Sequence, residues 1–231
     1  MGIFDNDVDL YTDYKVELAF RDKLLGATPK DPTIIEAWLR SKAGIEKKEE
    51  LRRATLQTLL ELGAEVRPDM PYDEIAEAAK HLAANKQTNG FKIDSDGLYI
   101  ESRILKAMLK EVTNILFAGK RWGPTKKGPK SFLAERVFVS PSHVGLGIKE
   151  PSGIELFIGH TNGPQGRMSN LTYYEYAEQP VLQFTIRVAE DAVPLDAWPE
   201  LWVLAQDNGL GALRSQGHGC FDVNCWERIE S

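Results

Sequence analysis

Four glycines fall within the eleven residues Gly209-Leu210-Gly211-Ala212-Leu213-Arg214-Ser215-Gln216-Gly217-His218-Gly219. Glycine permits positive φ and lets a backbone approach a neighbouring chain closely. Successive exposed amides in such a turn form a concavity that accepts anions. Arg214 sits inside the stretch, and its planar fork matches a phosphate. The same composition also serves a tight connection between a helix and a strand, where glycine is needed for geometry alone.

A second group of cations lies at Arg103, Lys106 and Lys110, near the start of the helical pattern that opens at Glu101 or Ser102. A phosphate at a helix N-terminus gains from the free amides and the dipole, and flanking Arg and Lys add to it. The alternative is a solvated face. A third group, Lys120, Arg121, Lys126, Lys127, Lys130 and Arg136, is opposed only by Glu135 within residues 118–136. On a chain of net charge −6 this is a local basic footprint or a solvated basic loop.

Acid–base and metal chemistry have less to work with. The histidines are His81, His143, His160 and His218. His81 falls on an expected helix, His143 and His160 in or near loops, and His218 in the glycine stretch. His218, Cys220 and Cys225 lack paired ligand spacing and a fourth partner, so no metal and no cofactor is expected. Asp31-Pro32 reads as a helix cap with proline at the first position. No phosphate-binding Walker loop, dinucleotide fingerprint or nucleophile elbow is present.

These groups need elements to hold them. A strand is expected over Lys15–Arg21, with Val16, Leu18 and Phe20 on one face. Helices are expected over 31–42, 45–62 and 72–85, separated by Gly44, Gly63, Pro68 and Pro71. The next helix runs from 102 to about 117 and buries Ile104, Leu105, Met108, Leu109, Val112, Ile115 and Leu116. Residues 119–130 contain Gly-Pro twice and read as a loop. Strands are expected over 132–140, 144–149, 154–160 and 181–188, with a polar loop at 161–170. Tyr173, Tyr174 and Tyr176 fit strand packing or base stacking. A last helix spans 195–208, with Gly209 at its end. A strand follows in which Phe221, Val223 and Cys225 share one face. Strands gathered on one sheet with helices on one side make an α+β chain.

No run of apolar residues is long enough for a membrane span. The N-terminus lacks the pattern of a signal peptide. Two cysteines supply no disulfide framework, so a reducing, cytoplasmic setting is expected.

Two separated pieces resemble the RAMP superfamily, the RRM-like RNA-binding subunits of CRISPR effector complexes. Leu98-Tyr99-Ile100-Glu101-Ser102-Arg103-Ile104-Leu105-Lys106-Ala107-Met108-Leu109-Lys110 is similar to that family's entry into its first helix. Leu210–Phe221 is similar to its glycine-rich loop before the last strand. Glu101 replaces a proline and Gln216 an arginine. The resemblance implies one domain over 1–231: a ferredoxin-like or RRM-like antiparallel sheet backed by helices, with a helical insertion at about 29–90. It implies sequence-independent binding of single-stranded RNA, a guide RNA in a CRISPR setting. The gripping residues would be Ser102, Arg103, Lys106, Lys110, Gly211, Arg214, Ser215, Gln216, Gly217, His218 and Gly219. It also implies assembly with further copies or with other effector subunits, and, because some members cut target RNA with an aspartate just past the first strand, it makes Asp31 a catalytic candidate beside its reading as a helix cap. The competing classes are a viral or other protein-only assembly protein and an RNA-processing endoribonuclease; the latter needs a general base such as histidine beside the scissile 2′-hydroxyl, and no histidine lies just after the first strand.

Overall fold

The computed structural model describes residues 10–30, 53, 56–57, 59–61, 66–67, 69–71, 74, 88–122, 128–163, 166–189 and 192–230. The strands are β1 (Tyr11–Phe20), β2 (Lys23–Leu25), β3 (Thr28–Pro29), β4 (Thr88–Gly90), β5 (Lys92–Asp94) and β6 (Gly97–Glu101). Helix α1 (Ser102–Leu116) and helix α2 (Pro129–Arg136) follow. Then come β7 (Val137–Ser140), β8 (His143–Gly145), β9 (Gly153–Gly163), β10 (Gly166–Glu178), β11 (Val181–Ala189), α3 (Ala197–Asn208) and β12 (Phe221–Arg228). The chain divides into two compact units: residues 1–24, 100–147 and 178–231 form one, and residues 25–99 and 148–177 the other.

The first unit holds a sheet in the order β12-β1-β11-β7. Its three pairings are all antiparallel. In chain order the elements run β1, α1, β7, β11, α3, β12. The first and third of these four strands lie at the centre of the sheet, which is the ferredoxin-like, RRM-like arrangement. The period of two decides what faces the helices. Val16, Leu18, Leu182, Ile186 and Phe221 all turn inward and are buried. They meet Leu105, Met108, Leu109 and Val112 of α1 and Trp198, Leu201, Trp202 and Ala205 of α3, also buried. Each such side chain contributes about 1.5–3 kcal/mol by leaving water.

The alternation in β12 is broken. Glu17 pairs with Cys225 but Leu18 pairs with Val223, so Asn224 is an extra residue. This bulge moves Cys225 to the face of Glu17 and brings Trp226 opposite Val16, contrary to the alternation read from sequence. Trp226 then stacks on Tyr14, with ring centroids 4.3 Å apart, and meets Trp198 at 4.7 Å.

Other expectations are corrected as well. Ile115 is exposed rather than buried. Thr113 takes the inner position, where its hydroxyl donates to the Leu109 carbonyl at 2.6 Å. Residues 132–136 are helical, not strand, because Pro129 opens α2 after Gly128 and the helix buries Phe132 and Leu133. The strand expected to Lys149 stops at Gly145. The loop expected at 161–170 is largely strand: β9 and β10 pair antiparallel from Gly153↔Tyr176 to Gly163↔Gly166.

The second unit contains this β9–β10 hairpin. β4 pairs with β10 in parallel, and β3 pairs with β4. Its inner polar contact is Glu175, which accepts from Lys30 Nζ at 2.6 Å and from the Phe91 amide at 3.1 Å. Gly90 makes room for it, since a Cβ there would collide with the Glu175 carboxylate. Residues 53, 56–57, 59–61 and 74 have helical backbone, as expected of the insertion. The helix stripes expected at 31–42 and over most of 45–85 lie outside the described residues.

Candidate nucleic-acid interface

The glycine loop begins where α3 stops. Gly209 has φ 70° and its amide donates to the Ala205 carbonyl. The Leu210 amide then donates to the Gly219 carbonyl at 2.9 Å, which closes the loop at a neck. At the neck glycine is required for close approach. A Cβ on Gly209 would lie 2.8 Å from the His218 carbonyl oxygen, and one on Gly219 would overlap the Leu210 carbonyl. Above the neck, Leu213 at φ 53° leads into a 3-10 turn, Arg214–Gln216, which Gly217 leaves at φ 87°. Ser215, Gln216 and Gly217 are exposed, and a Cβ on Gly217 would meet nothing within 4 Å. The connection and the surface readings of this loop therefore apply to different glycines: the neck is geometry, and the tip faces solvent.

The foot of the loop is pinned by residues that sequence reasoning missed. The Arg21 guanidinium donates to Asp207 at the end of α3 and to Asp222 on β12, each at 2.9 Å. The Gly219 amide donates to the Lys23 carbonyl, and the Arg21 amide to the Cys220 carbonyl. Arg21 is far from both carboxylates in sequence, so no local pattern announces the cluster. Both carboxylates hold Arg21 more firmly protonated than an isolated guanidinium, Asp222 more than Asp207.

The structure brings the loop and α1 together. Arg214 Nη1 donates to Glu111 Oε2 on α1 at 2.8 Å. Glu111 went unnoticed in the sequence, and it partly neutralises the arginine expected to meet an anion. Lys106 and Lys110 lie one turn apart on α1. Burial, followed by the charge of Lys110, pushes Lys106 below the usual lysine range. Lys106 Nζ lies 5.0 Å from the centroid of the Phe138 ring. Among the described residues neither lysine forms an ion pair. Arg103 is exposed but bound to Glu101 at 2.6 Å. The Ser102 amide donates to the Ser142 carbonyl, which removes one free amide from the start of α1.

The remaining expected residues are placed as follows. Lys120 and Arg121 are exposed just beyond α1, with Lys120 5.1 Å from the Phe117 ring centroid. Lys130 is exposed on the first turn of α2 rather than in a loop. His218 is half-buried in the loop. Lys126, Lys127 and Asp31 lie outside the described residues. Tyr174 packs edge-on against Phe157 at 5.6 Å, and Tyr176 closes over Gly153. Among the described residues there is no group of three or more potential metal ligands.

The sheet face away from the helices offers little to an RNA backbone. Arg187 forms a two-pronged ion pair with Asp13 at 2.8 and 2.9 Å, and Gln183 donates to Glu17 at 2.8 Å. Arg187 is thus already matched within the sheet, while Lys15 is an exposed cation on the same face. Tyr11 and Phe138 are its exposed aromatics, edge to face at 6.1 Å.

No protein-family model matches the sequence, and no curated protein matches it. The fold does have a solved counterpart. The chain is similar to a chain in the cryo-EM structure of the Type III-B Cmr-beta bound to cognate target RNA. The TM-score is 0.50 at 13% sequence identity, over 96% of this chain and 61% of that one. This chain thus spans about three fifths of its counterpart's length. The similarity establishes the fold. No helix among the described residues is long and apolar enough to cross a membrane.

Proposed function

We propose that the protein binds single-stranded RNA through its backbone, as a RAMP-like subunit of a CRISPR-type ribonucleoprotein. The observation that carries this reading is the junction of α1 with the glycine loop through Arg214 and Glu111. The glycine loop, one of the two pieces that resemble the RAMP pattern, meets α1, the helix that the other piece opens, across more than a hundred residues of sequence. Lys106 and Lys110 add two cations without carboxylate partners among the described residues. An ammonium held below its ordinary pKa by burial and a like charge gains when an anion arrives. The exposed loop tip at Ser215–Gly217 gives a sugar–phosphate chain backbone amides and a hydroxyl to meet. The fold shared with a chain from an RNA-bound complex is consistent with this role.

Such binding is sequence-independent and salt-dependent, because phosphates rather than base edges are gripped. Assembly is the second part of the proposal. Ile154, Leu156, Ile158 and Leu171 are exposed side by side on the β9–β10 hairpin. A contiguous apolar strip of this kind is suited to a protein neighbour. The same strip is the observation that favours the competing reading of a protein-only assembly protein. Titration of a labelled RNA of about forty nucleotides across a salt series, with complexes resolved by size, separates the two. The RNA reading expects binding that tightens at low salt, a ladder of complexes, and loss in the Lys106→Ala/Arg214→Ala double variant. A chain that self-assembles identically at every salt concentration and ignores RNA would favour the protein-only reading.

A further inference from the structure

We infer that the first unit carries a separate pocket for a single nucleotide, on the helix-side face of the sheet beyond the start of α3. The cavity measures about 550 Å³ and is lined by residues from β1, β11, β12 and the segment 193–195 that leads into α3. That volume lies within the range of small-ligand sites. Its walls are Val188, Val193, Pro194 and Leu195 with the aromatic rings of Tyr14 and Trp198, and its hydrogen-bonding groups include Thr12 and Arg228.

Three features select the ligand class. First, Tyr14 and Trp198 belong to a column of rings. Tyr14 stacks on Trp226 with 5° between planes, Trp226 lies 4.7 Å from Trp198, and Trp198 continues to Trp202 at 26°. Trp198 itself is buried, so the half-buried Tyr14 ring at the end of the column is the surface a flat heteroaromatic ligand can pack against. Second, Arg228 is the one charged side chain in the lining, is exposed, and forms no ion pair among the described residues. Its guanidinium matches a phosphate. Third, the Thr12 and Tyr14 hydroxyls would be left dry without a partner beneath a purely apolar side chain, a loss that a base edge or ribose hydroxyl avoids. A base, a ribose and a phosphate together answer all three features. The site is distinct from the α1–glycine-loop surface. The choice of a nucleotide over another flat anion rests on the RNA-binding reading.

The test uses the full chain and follows tryptophan fluorescence as AMP, UMP or ribose 5-phosphate is added. Melting curves confirm that each variant is folded. Saturable quenching by AMP and UMP, with ribose 5-phosphate weaker, is the expected result. Arg228→Glu should weaken AMP binding by about tenfold or more, the scale of one hydrogen bond to a charged group. Thr12→Val should weaken it less. A parallel titration with an RNA of about forty nucleotides keeps the two proposals separable. Quenching by AMP without RNA binding supports the pocket and sinks the backbone-binding reading. RNA binding with no quenching by any nucleotide overturns the pocket alone. Equal binding of AMP and ribose 5-phosphate, or an Arg228→Glu variant that binds AMP like the parent, also overturns it.

Discussion

Removal of the Glu111 carboxylate is expected to strengthen RNA binding. In the free protein Arg214 is held by Glu111 at 2.8 Å, with 33% and 43% of the two side chains exposed. A phosphate arriving at the loop must compete with that carboxylate for the same guanidinium. For a pair this exposed the interaction contributes about 0.2–1 kcal/mol, because solvent screens it and holding two long side chains costs entropy. Glu111→Gln keeps the shape and a hydrogen-bond acceptor but deletes the charge. Affinity for single-stranded RNA should therefore rise by a factor between about one and a half and five. Arg214→Ala should lower affinity. It should also reduce the slope of log K against log salt by about 0.7, the value of one phosphate contact on a single strand. In the Arg214→Ala background, Glu111→Gln should lose most of its effect, because its benefit acts through Arg214. The assay is fluorescence anisotropy of a labelled oligonucleotide at several salt concentrations, with thermal melts to exclude unfolding. Unchanged affinity in Glu111→Gln and an unchanged slope in Arg214→Ala would refute the placement of the phosphate at this loop.

Three further outcomes follow from the packing. Gly219→Ala should lower stability by more than the 1–2 kcal/mol of left-handed backbone alone, because its Cβ also overlaps the Leu210 carbonyl. Gly217→Ala, in open space, should cost about that backbone amount and no more, and chemical denaturation distinguishes the two. Glu175→Ala should cost about 3–5 kcal/mol, since it leaves the part-buried Lys30 ammonium and the Phe91 amide without their acceptor. Faster amide exchange in β4 and β10 would report it. Asp13 is held below the usual carboxylate range, chiefly by its hydrogen bond from Arg187. Its contribution to stability should be complete above the ordinary aspartate value of about 3.9 and vanish as pH falls through its lower folded value. Asp13→Asn should remove that acid-side component from the stability–pH curve.

The legible parts of this chain were those with a local signature. Val16, Leu18 and Phe20 announced β1 because one face of a half-buried strand must alternate. The 102–116 helix announced itself through its apolar stripe, and Gly209 marked the end of α3. Several misread parts depended on strand pairing that no single segment displays. The bulge at Asn224 is set by pairing with β1, and it decides that Trp226 rather than Cys225 joins the aromatic column. Residues 161–170 look like a loop because their glycines and polar side chains give no apolar alternation, yet cross-strand hydrogen bonding extends the hairpin through most of them. At the candidate interface the glycine loop and the α1 lysines were visible in the sequence. Glu111 and Arg21 were not, since charged residues on exposed faces carry no pattern until their partners are known. Lys126, Lys127 and Asp31 remain sequence expectations.

In the proposed RNA-binding role, α1 and the glycine loop together grip the RNA backbone. Hydrogen–deuterium exchange of the full chain, with and without a saturating single-stranded RNA, reads that surface directly. The expected result is RNA-dependent protection across 210–219 and the first turns of α1, with the sheet strands β1 and β11 unchanged. Protection confined to the sheet face around Tyr11 and Phe138, or none at the loop under conditions where RNA is bound, would contradict it.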